Sequence, residues 1–367
     1  MNYIYWVISW ACHRKCKHCY DDRFRPYVRD ALDEVVAEGQ HAYERIIAHL
    51  PDDFTYLDPC KPDADAEPRR IRGSLFLAGG EPLIDAVREP LFYPLLERIG
   101  ARYGGYDAPH APRLACQTTG DILTEQHIEE MLERGMWKIC IASIDDYHVG
   151  MEGDKKLRLM EKVSRMMEKF GVREEVLAAG PNPRNPAGDV DYEADDGPFF
   201  VFFGAQPELW IGEIWPRGRA WTNGLSKADY GTNFCARRSG GRHFLDHGQR
   251  GSEVAIEPDG SVYPCCLKTK TPIGNIAEEP LIPMLDSLRG HPALEALNRG
   301  DPEAMGLEAG WDREAFRVKS KTVTPKGEDF ENLCIGCDRF FEQHLGEALK
   351  QMREERMQAR KAAVSVG

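Results

Sequence analysis

Cys12, Cys16 and Cys19 stand in the run Cys12-His13-Arg14-Lys15-Cys16-Lys17-His18-Cys19, a C-x3-C-x2-C spacing. Thiolates are the usual ligands of iron–sulfur clusters. Three of them on one short loop hold three corners of a cubane and leave the fourth iron open to a substrate. A structural zinc site is the alternative, with His13 or His18 as fourth ligand. A second group, Cys235, Cys265, Cys266, Cys334 and Cys337, lies far downstream, and Cys60, Cys116 and Cys140 are scattered singles. The eleven cysteines are odd in number, which argues against a fully paired disulfide set. Their clustering points to metal in a reducing compartment.

The elements that must position these groups follow from periodicity. From residue 3 to about 215, short apolar runs alternate with amphipathic stretches, the pattern of a parallel sheet covered by helices. Strands are expected at 3–9, 74–78, 113–117, 137–143, 199–204 and 209–213, and helices near 30–49, 86–99, 124–134 and 155–170. In the last helix Leu157, Met160, Val163, Met167 and Phe170 recur at helical spacing and predict one buried face. About six strand–helix steps are too few for an eight-fold barrel and fit an open, partial one. Residues 51–73, rich in Asp, Pro and Arg, and residues 179–198 interrupt the rhythm, either as functional lids or as ordinary surface insertions. After Cys235, the run EVAIEPDGSVYPC reads as a β-hairpin turning at Pro258-Asp259-Gly260 and opening a smaller module, and 339–363 as a charged amphipathic helix. The expected organisation is α/β: a partial (β/α)6 barrel over 1–225, a β-hairpin plus helix domain over 226–345, and a C-terminal helix and tail over 346–367.

Composition narrows the partners. A formal charge of −13 and a pI near 5.4 would repel a polyanion, so nucleic acid is a poor candidate. The opening MNYIYWVISW has no basic flank and no small-residue cleavage site, and reads as a buried strand rather than a targeting segment. No stretch approaches the roughly 20 apolar residues of a membrane span. The expectation is a cytoplasmic protein.

The cysteine triplet followed by an aromatic residue, Tyr20, resembles the signature of the radical S-adenosylmethionine (SAM) superfamily. Three further segments match in the order that family shows. Gly79-Gly80-Glu81-Pro82 resembles its GGEP segment, which receives the SAM amino group; glycines allow close backbone approach and a carboxylate can accept from an ammonium. Ser143 and Asp145, at the end of the fourth strand, match its ribose-binding position, although Asp145 alone reads equally well as a helix N-cap. Pro216-Arg217-Gly218-Arg219-Ala220 resembles its Pro-x-Gly-Arg-Ala segment, where Arg219 would pair with a carboxylate. The resemblance implies a [4Fe–4S] cluster on Cys12, Cys16 and Cys19 that cleaves SAM to methionine and a 5′-deoxyadenosyl radical.

The C-terminal half resembles the family's auxiliary-cluster domains, the shorter Twitch and the longer SPASM. Cys235, Cys265, Cys334 and Cys337 would supply four thiolates for a second [4Fe–4S] cluster, with Cys266 as a rival for Cys265 and zinc as the rival metal. A cluster closed by four cysteines takes up or relays an electron, which favours an oxidative outcome such as dehydrogenation or crosslinking. An epimerase would need a thiol to return a hydrogen atom, for which Cys116, Cys140 and Cys266 are available. The resemblance implies a small-molecule or short-peptide substrate, or a role in ribosomal-peptide maturation, and an electron donor such as flavodoxin or ferredoxin. The acidic balance would suit a cationic substrate. Readings from other classes are a non-catalytic metal protein and an electron-transfer accessory; neither needs a SAM site.

Overall fold

The computed structural model describes residues 1–62, 68–175, 197–204, 214–237 and 239–366. In chain order the main elements are β1 (Tyr3–Val7), α1 (Asp30–His49), β2 (Thr55–Pro62), β3 (Pro68–Arg72), β4 (Ser74–Ala78), α2 (Asp85–Val87), α3 (Tyr93–Tyr103), β5 (Arg113–Thr118), α4 (Glu125–Glu133), β6 (Met136–Ile141), α5 (Lys155–Lys169), β7 (Arg173–Glu174) and β8 (Phe199–Phe202). There follow α6 (Gly218–Thr222), β9 (Glu253–Ile256), β10 (Ser261–Tyr263), β11 (Gly274–Asn275), α7 (Leu281–Leu288), α8 (Pro292–Asn298), α9 (Arg313–Lys319), β12 (Lys321–Val323), β13 (Asp329–Glu331), α10 (Leu333–Phe340) and α11 (Gly346–Val366).

The central sheet runs β11-β10-β9-β1-β4-β5-β6-β8-β7 and is parallel from β9 to β7. Parallel strands joined by crossover helices must bury both faces, and the period-two alternation of side chains divides them. On β1, Ile4 and Trp6 point to the large core under the helices, together with Leu75 and Leu77 of β4 and Ile139 and Ile141 of β6. The opposite, concave face carries Tyr3, Tyr5, Phe76, Ala115, Cys140, Phe199 and Val201. One register therefore supplies both the packing and the lining of the space where chemistry can happen.

Several expectations are corrected. Residues 51–73 are not structureless: β2 and β3 pair antiparallel, with Thr55 opposite Arg72. The buried face of α5 is Leu159, Val163, Met166 and Met167, whereas Leu157 is 53% exposed. The hairpin at Pro258-Asp259-Gly260 forms, but β9 pairs parallel with β1, Tyr3 opposite Glu253, so the C-terminal module extends the barrel's own sheet. Residues 179–196 and the expected strand 209–213 lie outside the described residues. Among the described residues no helix is long and apolar enough to cross a membrane.

Candidate active site

The loop after β1 carries the first three cysteines, and the chain fastens it from three sides. The Gly79-Gly80 turn after β4 lies directly against it: Gly80 N–H donates to Ser9 O (3.0 Å) and Glu81 N–H to Ala11 O (2.9 Å). A Cβ on Gly80 would stand 2.1 Å from Ala11 O and 2.8 Å from Cys12 Cβ, so only glycine fits there. From the second side, Arg14 Nη2 and His13 Nε2 meet Asp121 Oδ2 at 2.6 and 3.0 Å. Against burial, which pushes the Asp121 carboxyl up, hydrogen bonds from His13, Thr119 and Arg14 hold it well below the usual carboxylate range. From the third side, the Pro216–Ala220 segment closes on the loop. Arg219 donates from Nε to Cys16 O (2.8 Å), from Nη1 to Asp22 O (3.0 Å) and from Nη2 to Phe24 O (2.6 Å). Gly218, at φ +51°, would place a Cβ 2.5 Å from the Tyr20 carbonyl carbon.

Cys12, Cys16 and Cys19 all face one cavity of about 270 Å³, with Gly79 and Gly80 on its wall. Arg14 N–H points at Cys12 Sγ (3.4 Å) and Val149 N–H at Cys16 Sγ (3.5 Å), donors of the kind that stabilise thiolates on a cluster. Burial pushes the thiols of Cys12 and Cys19 up to about 12, so each stays neutral until a cation compensates it. Among the described residues eight buried side-chain polar atoms lack a hydrogen-bond partner, and four belong to this loop: His13 Nδ1, Arg14 Nη1, His18 Nδ1 and Tyr20 Oη. Arg14, His18 and Tyr20 line the cavity. Orphaned polar groups gathered at a thiol-lined cavity fit a polar ligand and a cluster together.

Other sequence-derived candidates have different work. Glu81, expected to accept from a ligand ammonium, is 1% exposed and accepts instead from Thr118 Oγ1, Thr119 N–H, Thr119 Oγ1 (2.7 Å each) and Leu83 N–H (3.1 Å). It ties the end of β5 to the glycine turn, and the buried Pro82 follows it away from the cavity. Ser143 donates to Thr119 O (2.6 Å) and is fully buried. Asp145 accepts from the amides of Tyr147 and His148 and from His148 Nδ1, all at 2.8 Å, closing a turn rather than capping a helix, since the next helix starts only at Lys155. Neither side chain lines the cavity; His148, which Asp145 orients, does. His18, Asp145 and His148 bring ligand atoms within 4.8 Å of one another, but the carboxylate is already engaged by the turn. Arg219 meets backbone carbonyls rather than a carboxylate.

The second group of cysteines converges as well. Cys235 sits in a 3-10 turn over Phe234–Ala236, capped by Asn233. Cys265 ends the β10 hairpin. Cys334 and Cys337 share one face at the start of α10, whose N-cap, Asn332, accepts from Cys334 N–H (2.9 Å). These four line one small cavity. Burial pushes the thiols of Cys265 and Cys334 up, to about 12 and about 11. Four buried thiols around one void suit a metal or a cluster closed by protein ligands. Cys266 turns the other way. It lines the first cavity, and its thiol meets Glu253 Oε1 at 3.4 Å. Two groups went unnoticed in the sequence. Arg217 is paired with Asp338 through Nη1–Oδ2 (2.5 Å) and Nη2–Oδ1 (2.8 Å). Lys268 meets Asp21 (2.7 Å) and Glu257 (2.8 Å), tying the C-terminal hairpin to the first cysteine loop.

Comparison with known proteins gives one family match. Residues 249–338 match SPASM, an iron–sulfur cluster-binding domain. The matched stretch holds Cys265, Cys266, Cys334 and Cys337, and Cys235 precedes it. No curated protein matches the chain. Among solved structures, BtrN in complex with AdoMet and 2-DOIA is 16% identical, with 85% of this chain and 92% of that chain covered and a TM-score of 0.41. The anSMEcpe structure with AdoMet and the Cp18Cys peptide is 15% identical over 96% and 99% of the two chains, with a TM-score of 0.39. Streptococcus suis SuiB bound to its precursor peptide SuiA is 14% identical over 81% and 66%, also at 0.39.

Proposed function

We propose that this chain, with a SPASM iron–sulfur match in its second half and the radical SAM motifs in its first, is a radical SAM enzyme. It acts on a small-molecule or short-peptide substrate, with an oxidative outcome such as dehydrogenation or crosslinking. Cys12, Cys16 and Cys19 would hold the SAM-binding [4Fe–4S] cluster, and Cys235, Cys265, Cys334 and Cys337 an auxiliary one. When bound, the first cluster and SAM supply a 5′-deoxyadenosyl radical able to take hydrogen from an unactivated C–H bond, and the auxiliary cluster supplies an electron acceptor.

The observation that carries this reading is the set of orphaned polar atoms on the cysteine loop, three of whose residues face the same cavity as the three thiols. The chain's own residues do the rest. The Gly79-Gly80 turn and Arg219 fix the loop's backbone, leaving Arg14, His18 and Tyr20 to meet the polar parts of SAM. Tyr3, Tyr5 and Phe76 wall the space beyond, where a substrate would be shielded from water. Gln117 and Lys138 are polar groups on the same wall. Arg14 and Lys138 are charged side chains on the cavity wall. Buried free thiols suit a reducing, cytoplasmic setting and a one-electron donor of the flavodoxin or ferredoxin class.

The test is iron and acid-labile sulfide per chain after anaerobic reconstitution, comparing wild type with a variant carrying Cys12, Cys16 and Cys19 all changed to Ala. The expected result is about eight irons falling to about four; an unchanged content contradicts the assignment. A second reading, epimerisation, is favoured by Cys140 and Cys266, which line the cavity, while Cys116 packs on Met131 in the core. Solvent deuterium at the reacting carbon of the product, lost in Cys266→Ala or Cys140→Ala, would select it over oxidation.

A further inference from the structure

Arg217 borders the small cavity of Cys235, Cys265, Cys334 and Cys337, while Asp338, its partner, does not. The pair is bidentate and both side chains are largely buried, 18% and 11% exposed. Asp338 follows Cys337 directly on α10. The Nη1–Nη2 edge of the guanidinium faces the carboxylate, and the arginine brings its charge to the border of the thiol cavity. Lys268, the other cation at the cavity, is shared between Asp21 and Glu257. Two residues past Arg217, Arg219 grips the first cysteine loop, so this short segment reaches both cysteine sites.

We propose that Arg217, held by Asp338, is the residue that sets the reduction potential of a cluster on Cys235, Cys265, Cys334 and Cys337. This rests on the cluster assignment made above. Reduction adds one electron to a cluster whose four thiolates already carry negative charge. A buried cation on that side stabilises the reduced form, and a carboxylate behind it offsets part of the gain. Arg217 is a positioning residue in this role: it acts on the cluster and not on substrate. The two members of the pair must then act in opposite directions.

The experiment is an anaerobic redox titration followed by electron paramagnetic resonance on the reconstituted protein, with the potential of each cluster read separately. Arg217→Met is expected to lower the auxiliary potential and Arg217→Lys to restore part of the loss. Asp338→Asn is expected to raise it. The first cluster, whose loop is held by Arg219 rather than by the Arg217–Asp338 pair, serves as the internal reference. Should Arg217→Met fail to fold or to take up its second cluster, Asp338→Asn and Arg217→Lys still decide the sign. Unchanged auxiliary potentials, or shifts of the same sign at Arg217 and Asp338, would overturn the inference while leaving the cluster assignment intact. A wild-type protein with no second cluster signal would overturn both.

Discussion

Adjacent cysteines can face opposite sides of a hairpin end, and here that assigns them to two cavities. Cys265 joins the four-thiol cavity and Cys266 the larger one. Cys265→Ala should cost about four irons per chain and Cys266→Ala none, counted against sulfide after reconstitution. Loss of iron in both variants would show that the two thiols are not so divided. The grouping of the cysteines was readable from their spacing: three of one loop meet at one cavity, and Cys235, Cys265, Cys334 and Cys337 at another. The work of Glu81 was not, since its donors Thr118, the last residue of β5, and Thr119, the next, reach it only through β4–β5 pairing. Glu81→Gln leaves donors facing an amide NH2 in a buried site. It should destabilise the protein by about 3 kcal/mol in a urea titration; a change under about 0.5 kcal/mol would contradict the bonding described.

The cysteine loop keeps its shape because rigid elements end where it needs support. Gly80→Ala should drive the glycine turn off the loop, lowering both the melting temperature and the iron bound by the first site; unchanged iron would show that the loop tolerates the shift. Asp121, in the turn after β5, is held far below its ordinary value in the folded chain by hydrogen bonds from His13, Thr119 and Arg14. Its contribution is therefore in force above about pH 4 and is lost as the pH falls through that value toward the folded one. Asp121→Asn should remove that acid limb from the stability profile; an identical profile below about pH 4 would contradict the linkage. Helices α1, α4 and α5 came within a residue or two of their expected limits because amphipathic periodicity is a local signal. The buried face of α5 is turned from the expected one: Leu157, in its first turn, stays exposed and the buried stripe starts at Leu159. The β2–β3 hairpin was hidden by its Asp, Pro and Arg content. Such residues are usual in loops and tolerated in a two-stranded ribbon outside the main sheet.

At the scale of the whole molecule, β9 is the C-terminal half's link to the first strand of the barrel. Its contact with β1 was out of reach of local pattern, since it joins residues some 250 positions apart. Without β9, β1 would become a bare edge flanked by aromatic side chains. A chain ending at residue 248 should therefore aggregate or unfold, as read by light scattering and circular dichroism. A well-folded, monomeric fragment would show that the barrel stands alone. Against a net charge of −13 for the whole chain, the charged side chains among the described lining residues of the cavity are Arg14 and Lys138. The most direct test of the central claim is release of 5′-deoxyadenosine from SAM by the reconstituted, reduced protein. Wild type should produce it and the Cys12, Cys16, Cys19 triple-alanine variant should not. A wild-type protein that carries its first cluster yet yields no 5′-deoxyadenosine under strong reductant would contradict the account.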